Sequence, residues 1–135
     1  PQMPGLLGFV TTARELARFG LLIEENGDWD GRTLVADKKY LHAMLTPSQD
    51  LNQSYGYLWW LNGHDGVRAS GAKFKWLAPS APADMVAALG ALGRKVYVVR
   101  SLGLVVTRTG DNADQKGEAP FDEAFWAALI KARKQ

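Results

Sequence analysis

Three apolar runs in the second half of the chain constrain its fold more than any other feature. They occupy residues 85–90, 95–100 and 104–109, and short turns that contain glycine separate them. Such β-rich runs with short connections predict adjacent antiparallel strands. Glycine in the first run also lets a ligand approach the backbone closely. We therefore expect a sheet in which the first of these strands borders a site.

Helical patterns lie on both sides of these runs. Thr12 and Glu15 match a capping box and precede an apolar stripe, which predicts a helix over residues 12–26. A shorter helix is predicted at 36–45, and a C-terminal helix begins at Pro120, with acidic residues early and basic residues late. The predicted apolar face of that last helix consists of Phe121, Phe125, Ala128 and Leu129. The predicted class is α+β, a mostly antiparallel sheet flanked by helices.

The middle of the chain combines an apolar run with a long irregular stretch. Residues 55–61 are apolar on both faces of an extended chain, which predicts a strand covered on both sides. Trp59 and Trp60 should then point to opposite faces. Residues 62–84 contain glycines and prolines without a sustained period, which predicts a long loop or lid.

Composition limits the classes of protein to consider. The chain has 135 residues, enough for one domain but not two, and we interpret residues 1–135 as a single, partial domain. It begins at Pro1 rather than at methionine, which fits a cleaved or truncated product. The absence of cysteine excludes disulfides, thiolate metal sites and a cysteine nucleophile.

Charge and hydropathy argue against two kinds of partner. The net charge is +2 and the 16 basic residues are scattered, so we expect no nucleic-acid partner. No run approaches the roughly 18 apolar residues that a membrane-spanning helix needs. His42 and His64 do not make a metal site by their placement, and we expect neither a metal nor a cofactor.

Several segments with helix or strand patterns follow one another along the chain in a recognisable order. They are TTARELARFG, WDGR, YGYLWWLNG and MVAALGALGRKVYVVRSLGLVVTRTGDN. In this order they resemble the C-terminal portion of the serine β-lactamase, penicillin-binding protein and esterase superfamily, over residues 8–130. The resemblance implies acyl-enzyme hydrolysis of a small-molecule ester, amide or β-lactam. It is compatible with a periplasmic or secreted parent protein and leaves the localisation unknown.

The same resemblance suggests which strand borders the active site. Ala88, Leu89 and Gly90 stand where the family carries Lys-Thr-Gly or His-x-Gly, and the N–H of Ala91 then matches one oxyanion donor. Because Ala88 is not basic, the resemblance favours an ester or amide without a carboxylate over a β-lactam. The alternative is an apolar strand whose glycines merely allow close packing.

Aromatic side chains are candidates for the walls of a substrate cleft. Tyr57 and Trp60 belong to the apolar run, where core packing is the alternative role. Phe74 and Trp76 lie in the long loop, where they either cap the sheet or form a lid over a ligand.

Three short motifs resemble family motifs but lack the expected context. Residues 70–73 spell Ser-x-x-Lys, yet Gly71 follows the serine and no helical stripe continues from it. Residues 108–110 end a predicted strand rather than begin one, and residues 64–66 open the long loop. We interpret all three as chance matches.

The family's serine-lysine and tyrosine motifs would lie upstream of Pro1. We therefore expect the chain to be inactive alone and to pack against a missing N-terminal part of the same domain, or to cover its apolar surface by self-association. The competing hypothesis is a non-catalytic module of the same fold that binds a ligand or partner.

Overall fold

The computed structural model describes residues 10–68, 70–111 and 118–133, and within them the class is α+β. Its helices are α1 (Ala13–Glu24), α2 (Lys38–Met44) and α3 (Glu118–Arg133). Its strands are β1 (Asp28–Trp29), β2 (Arg32–Thr33), β3 (Trp60–Leu61), β4 (Gly66–Val67), β5 (Lys73–Phe74), β6 (Val86–Leu89), β7 (Lys95–Val99) and β8 (Leu104–Arg108). None of the helices in these ranges is long and apolar enough to cross a membrane.

The central sheet has the order β3-β6-β7-β8, and each neighbouring pair is antiparallel. The three runs at 85–90, 95–100 and 104–109 thus form adjacent antiparallel strands, as the sequence predicts. Val98 of β7 lies opposite Val86 of β6 and Val105 of β8, which fixes the register of all three. β7 is buried along its whole length, as its β-branched residues favour, whereas β8 is an edge strand of the described sheet and its residues are half-buried.

The first two helices agree with the sequence prediction to within two residues at each end. The hydroxyl of Thr12 accepts a hydrogen bond from the Glu15 N–H at 3.3 Å, and the Glu15 carboxylate accepts one from the Thr12 N–H at 2.9 Å. This is the predicted capping box. α2 begins after Asp37, whose carboxylate accepts from the Tyr40 N–H at 2.9 Å.

The predicted strand at 55–61 is wrong. The chain reverses direction there: Tyr55 bridges Trp60, and the Gly56 N–H donates to the Trp59 carbonyl at 2.8 Å. Leu58 adopts a left-handed conformation with φ of 64° inside this turn. Only the last two residues of the run form β3, which is an edge strand of the sheet and not an interior one.

The predicted loop at 62–84 is more ordered than expected. It contains the β4–β5 hairpin, and Leu77, Ala78 and Ala81 then enter the core. The buried side chain of Asn62 holds this return segment, because its amide donates to the Ala78 carbonyl and accepts from the Ala78 N–H, each at 3.0 Å. One side-chain amide therefore satisfies backbone groups that no strand pairs.

The sheet has a separate apolar core on each side, and we name the two sides by the helices that cover them. The buried core of the α3 face consists of Leu77, Ala78, Ala81, Met85, Ala87, Tyr97, Val99 and Trp126. The buried core of the α1–α2 face consists of Ile23, Leu41, Trp59, Leu61, Val96 and Val98. Trp59 belongs to the α1–α2 face and Trp60 packs against the α3 core, so these neighbours do point to opposite faces.

The buried side of α3 differs from the predicted one. Asp122 and Trp126 are fully buried, whereas Phe121 and Phe125 are half-buried and Ala128 is exposed. The helix is thus rotated so that a carboxylate faces the core. The reason is a buried cation, the Lys95 ammonium, on the sheet beneath it.

Candidate functional site

The predicted site strand ends in a tight exposed turn. The last residue of β6, Leu89, lies opposite Lys95, and the Gly90 N–H then donates to the Arg94 carbonyl at 2.8 Å. A single 3₁₀ turn follows at Ala91–Gly93. Gly90 and Ala91 are both exposed, whereas Gly93 at the end of the turn is buried and its carbonyl accepts from the Arg108 guanidinium.

The backbone around Ala91 leaves room for an incoming group. The Ala91 N–H donates to no backbone carbonyl outside its own turn among the residues that the structure describes. Among the described residues, the atom nearest to a Cβ at Gly90 would be the Arg94 carbonyl oxygen, at 3.4 Å. The role of Ala91 as an oxyanion donor, which requires an N–H that faces the substrate, stays a prediction, and the residue as a whole is exposed.

One edge of β6 is only partly covered. β3 pairs with Val86 and Ala87, and Ala88 and Leu89 lie beyond the end of that pairing. In the described part of the chain, no strand adjoins this half of the edge. Unpaired strand edges can bind an extended ligand through main-chain hydrogen bonds.

The predicted substrate-binding side chains do not all meet. Ala88 packs towards the α1–α2 core and Leu89 towards the α3 core, so they belong to opposite faces of the strand. Trp60 and Phe74 lie together on the α3 face, with ring centroids 6.1 Å apart. Tyr57 is 47% exposed, and its ring contacts the ring of Tyr40 and not that of Trp60 or Phe74.

Each remaining aromatic candidate has a different environment. Tyr57 contacts the ring of Tyr40 at 6.1 Å, next to α2. The guanidinium carbon of Arg68 lies 5.1 Å from the ring centroid of Phe74, which is cation–π geometry. Phe74 is half-buried against the core of the α3 face, and its role as a cap or as a lid over a ligand stays a prediction. Trp76 is 38% exposed and belongs to neither buried core, and its contact with a ligand stays a prediction.

A buried polar cluster under the same turn was not predicted. Lys95 Nζ lies 2.6 Å from Asp122 Oδ1, and the Tyr97 hydroxyl donates to that same oxygen. All three side chains are almost completely buried. Among the residues that the structure describes, none is a hydrogen-bond partner for Asp122 Oδ2 or for the indole N–H of Trp126. The signal in the sequence was the lysine at the start of the apolar run 95–100, on the same strand face as Tyr97 and Val99, because a buried ammonium requires an anion.

This cluster joins α3 to the strand pair that carries the turn. Lys95 begins β7 directly after Arg94, whose carbonyl accepts from Gly90. The Lys95 ammonium also lies 5.5 Å from the centroid of Phe121 on α3. The position of the exposed turn is therefore tied to the buried ion pair.

One of the three chance motifs, that at residues 108–110, contacts this turn, because Arg108 donates a hydrogen bond to the Gly93 carbonyl. Ser70 and Lys73 are exposed in the β4–β5 hairpin, not at a helix start. Thr109 follows the end of β8, and His64 is half-buried after β3. Among the residues described, no three His, Cys, Asp or Glu side chains are grouped so that they could hold a metal ion.

No model of a known protein family matches this sequence, and no curated protein matches it significantly.

Proposed function

We propose that this chain forms the sheet-side wall of the active site in a serine hydrolase of β-lactamase or esterase type. The observation that carries the proposal is the exposed Gly90–Ala91 turn at the end of β6, beside a strand edge without a neighbouring strand in the described part of the chain. An acyl-transfer site needs such backbone donors where charge develops on the substrate oxygen.

In this proposal the nucleophile is a serine outside the 135 residues. Its hydroxyl oxygen attacks the substrate carbonyl, and the carbonyl oxygen becomes an oxyanion to which the Ala91 N–H donates. The alcohol or amine then leaves with a proton, and water hydrolyses the resulting acyl-serine ester. The missing N-terminal part of the domain supplies the serine and its base, so residues 1–135 are inactive alone.

The turn's surroundings suggest the kind of substrate. Leu89 and Trp60 present apolar surface on the α3 face, and Ala88 supplies no cation for a substrate carboxylate. We therefore favour an ester or amide with an apolar acyl or leaving group, and rank a β-lactam below it.

Covalent labelling of the full-length protein tests the reaction class. A serine-reactive fluorophosphonate should label the intact enzyme and should leave the 135-residue chain unlabelled. Absence of label on the intact, folded protein would contradict the hydrolase and favour a non-catalytic ligand-binding module.

A substitution at the turn tests the assigned wall. Gly90→Val in the full-length enzyme should lower kcat/KM by about 100-fold, because the added methyl groups block the substrate's approach to the strand. Ala127→Val, on the exposed side of α3, is the matched control and should leave the rate unchanged. A Gly90→Val enzyme with full activity would show that the turn lies outside the active site.

A further inference from the structure

A groove lies at the opposite end of β6 from the Gly90–Ala91 turn. It has a volume of about 210 Å³ and opens between the end of α2, the end of β3 and the start of β6. Its lining consists of Leu45, Leu61, Asn62, His64, Ala83, Asp84, Met85, Val86 and Arg100. Nothing in the proposed hydrolase uses this groove.

The floor of the groove is apolar and rigid. Leu61 and Met85 are buried, and Leu45 and Val86 are half-buried. Leu61 and Val86 lie opposite each other in the β3–β6 pair, so the sheet fixes their positions. Such a floor stabilises an apolar ligand group by removing its surface from water.

The rim carries two opposite charges that are both held in place. The Asp84 carboxylate accepts from the N–H and from the hydroxyl of Ser101, each at 2.8 Å. Arg100 donates through one Nη to the Ile23 carbonyl at 2.8 Å, which anchors its guanidinium. Because hydrogen bonds within the protein already hold each group, little side-chain entropy is lost when a ligand binds them.

Both charged groups keep hydrogen-bonding capacity for a ligand. A carboxylate offers about four lone-pair directions, and Ser101 occupies two at Asp84. A guanidinium has five N–H donors. In the described part of the chain, the hydrogen bond that the Arg100 side chain donates is the one to the Ile23 carbonyl. Asn62, by contrast, uses its amide to hold residues 78–82 and frames the groove without free donors.

We propose that the groove binds a small zwitterion, an α-amino acid with an apolar side chain. Its ammonium would contact Asp84, its carboxylate Arg100, and its side chain the floor of Leu61 and Val86. The volume suits a ligand of about ten non-hydrogen atoms, which is below the size of ordinary drug-like ligands. A simple anion would face Asp84 and the nearby Glu24, and a simple cation would face Arg100.

Titration of the 135-residue chain with L-leucine, followed by ¹H–¹⁵N NMR, tests this site. Saturable shifts are expected at the amides of Val86, Arg100 and Ser101, with a Kd of about 10 mM or tighter. L-Leucinamide lacks the carboxylate, N-acetyl-L-leucine lacks the ammonium and glycine lacks the side chain. Each of these analogues should bind at least about fivefold more weakly. Shifts that do not saturate by about 50 mM L-leucine would overturn the proposal.

Two charge-removing variants and two controls locate the binding. Arg100→Gln and Asp84→Asn should each weaken L-leucine at least about fivefold. Arg94→Gln and Asp30→Asn remove exposed charges elsewhere and should leave the Kd unchanged. Equal affinity in all four variants would place leucine outside the groove and overturn the assignment. Because no hydrolysis is measured, the result is independent of the proposed catalytic function.

Discussion

The two faces of the central sheet are packed by different physical means. On the α3 face, a lysine, a tyrosine and an aspartate meet in an otherwise apolar core. On the α1–α2 face, no buried side chain of the described residues carries a charge, and α1 approaches the sheet closely at Gly20. A Cβ at Gly20 would lie 2.5 Å from a methyl group of Val105 and 3.1 Å from one of Val96.

This difference predicts different sensitivities to mutation. A buried ion pair contributes little relative to apolar residues of the same size, yet removal of one partner is costly because its charge stays buried. A close-packed apolar face instead responds to volume, since crowding forces side chains or backbone to move. The α3 face should therefore be sensitive to charge, and the α1–α2 face to size.

The largest effect should follow Asp122→Ala on the α3 face. This change removes the carboxylate to which Lys95 and Tyr97 both donate, and should lower the free energy of unfolding by about 3 kcal/mol. Urea unfolding followed by circular dichroism measures it. Replacing the whole cluster, with Lys95→Met, Tyr97→Phe and Asp122→Leu together, should restore most of the loss. A triple variant less stable than Asp122→Ala would contradict the charge-based account.

A smaller loss should follow Gly20→Ala on the α1–α2 face. Alanine favours a helix over glycine by about 1 kcal/mol, but crowding against Val105 costs about 2 kcal/mol, so a net loss of about 1 kcal/mol is expected. The same unfolding experiment measures it. In a Val105→Ala background the crowding is relieved, and Gly20→Ala should then be stabilising. A loss that persists in that background would mean that Val105 does not set the distance between α1 and the sheet.

Sequence patterns predict the parts of the fold that depend on local periodicity. The strands around Val98 and the cap at Thr12 follow from runs and motifs only a few residues long. The reversal at 55–61 could not be predicted in that way, because Leu58 takes the left-handed conformation that glycine normally marks. A side chain at Gly56 would also collide with the Met44 carbonyl, a constraint set by tertiary packing.

The candidate site likewise has some features that local sequence patterns predict and others that depend on tertiary packing. The exposed turn at Gly90 and Ala91 follows from a glycine at the end of a strand. The separation of Tyr57 from Trp60 depends on the unpredicted reversal between them. The buried lysine signals that some anion must approach it, but the choice of Asp122 among all carboxylates depends on how α3 packs.

The smallest effect, and a pH-dependent one, should follow Glu24→Gln at the end of α1. Partial burial raises the pKa of the Glu24 carboxyl, the neighbouring Glu25 raises it further, and Arg100 opposes both. A carboxyl whose pKa is higher in the folded state binds protons more readily there, so its ionisation at neutral pH destabilises the fold. Glu24→Gln should therefore raise stability slightly at pH 7, and the gain should shrink as the pH falls through the folded-state pKa.

Glu15→Gln at the other end of α1 is the control with opposite sign. The backbone N–H of Thr12, with the hydroxyls of Thr11 and Thr12, lowers the pKa of the Glu15 carboxyl. Its ionised form thus stabilises the fold above the unfolded-state pKa, and this stabilisation is lost as the pH falls through the folded-state value. Glu15→Gln should lower stability at pH 7 and converge with the wild type in acid. Urea unfolding at pH 7 and at about pH 3 measures both differences. If the stability gain of Glu24→Gln grows on acidification, the pKa of the Glu24 carboxyl is not raised in the folded state. That result would also contradict the view that this end of the α1–α2 face holds a partly buried charge beside an apolar core.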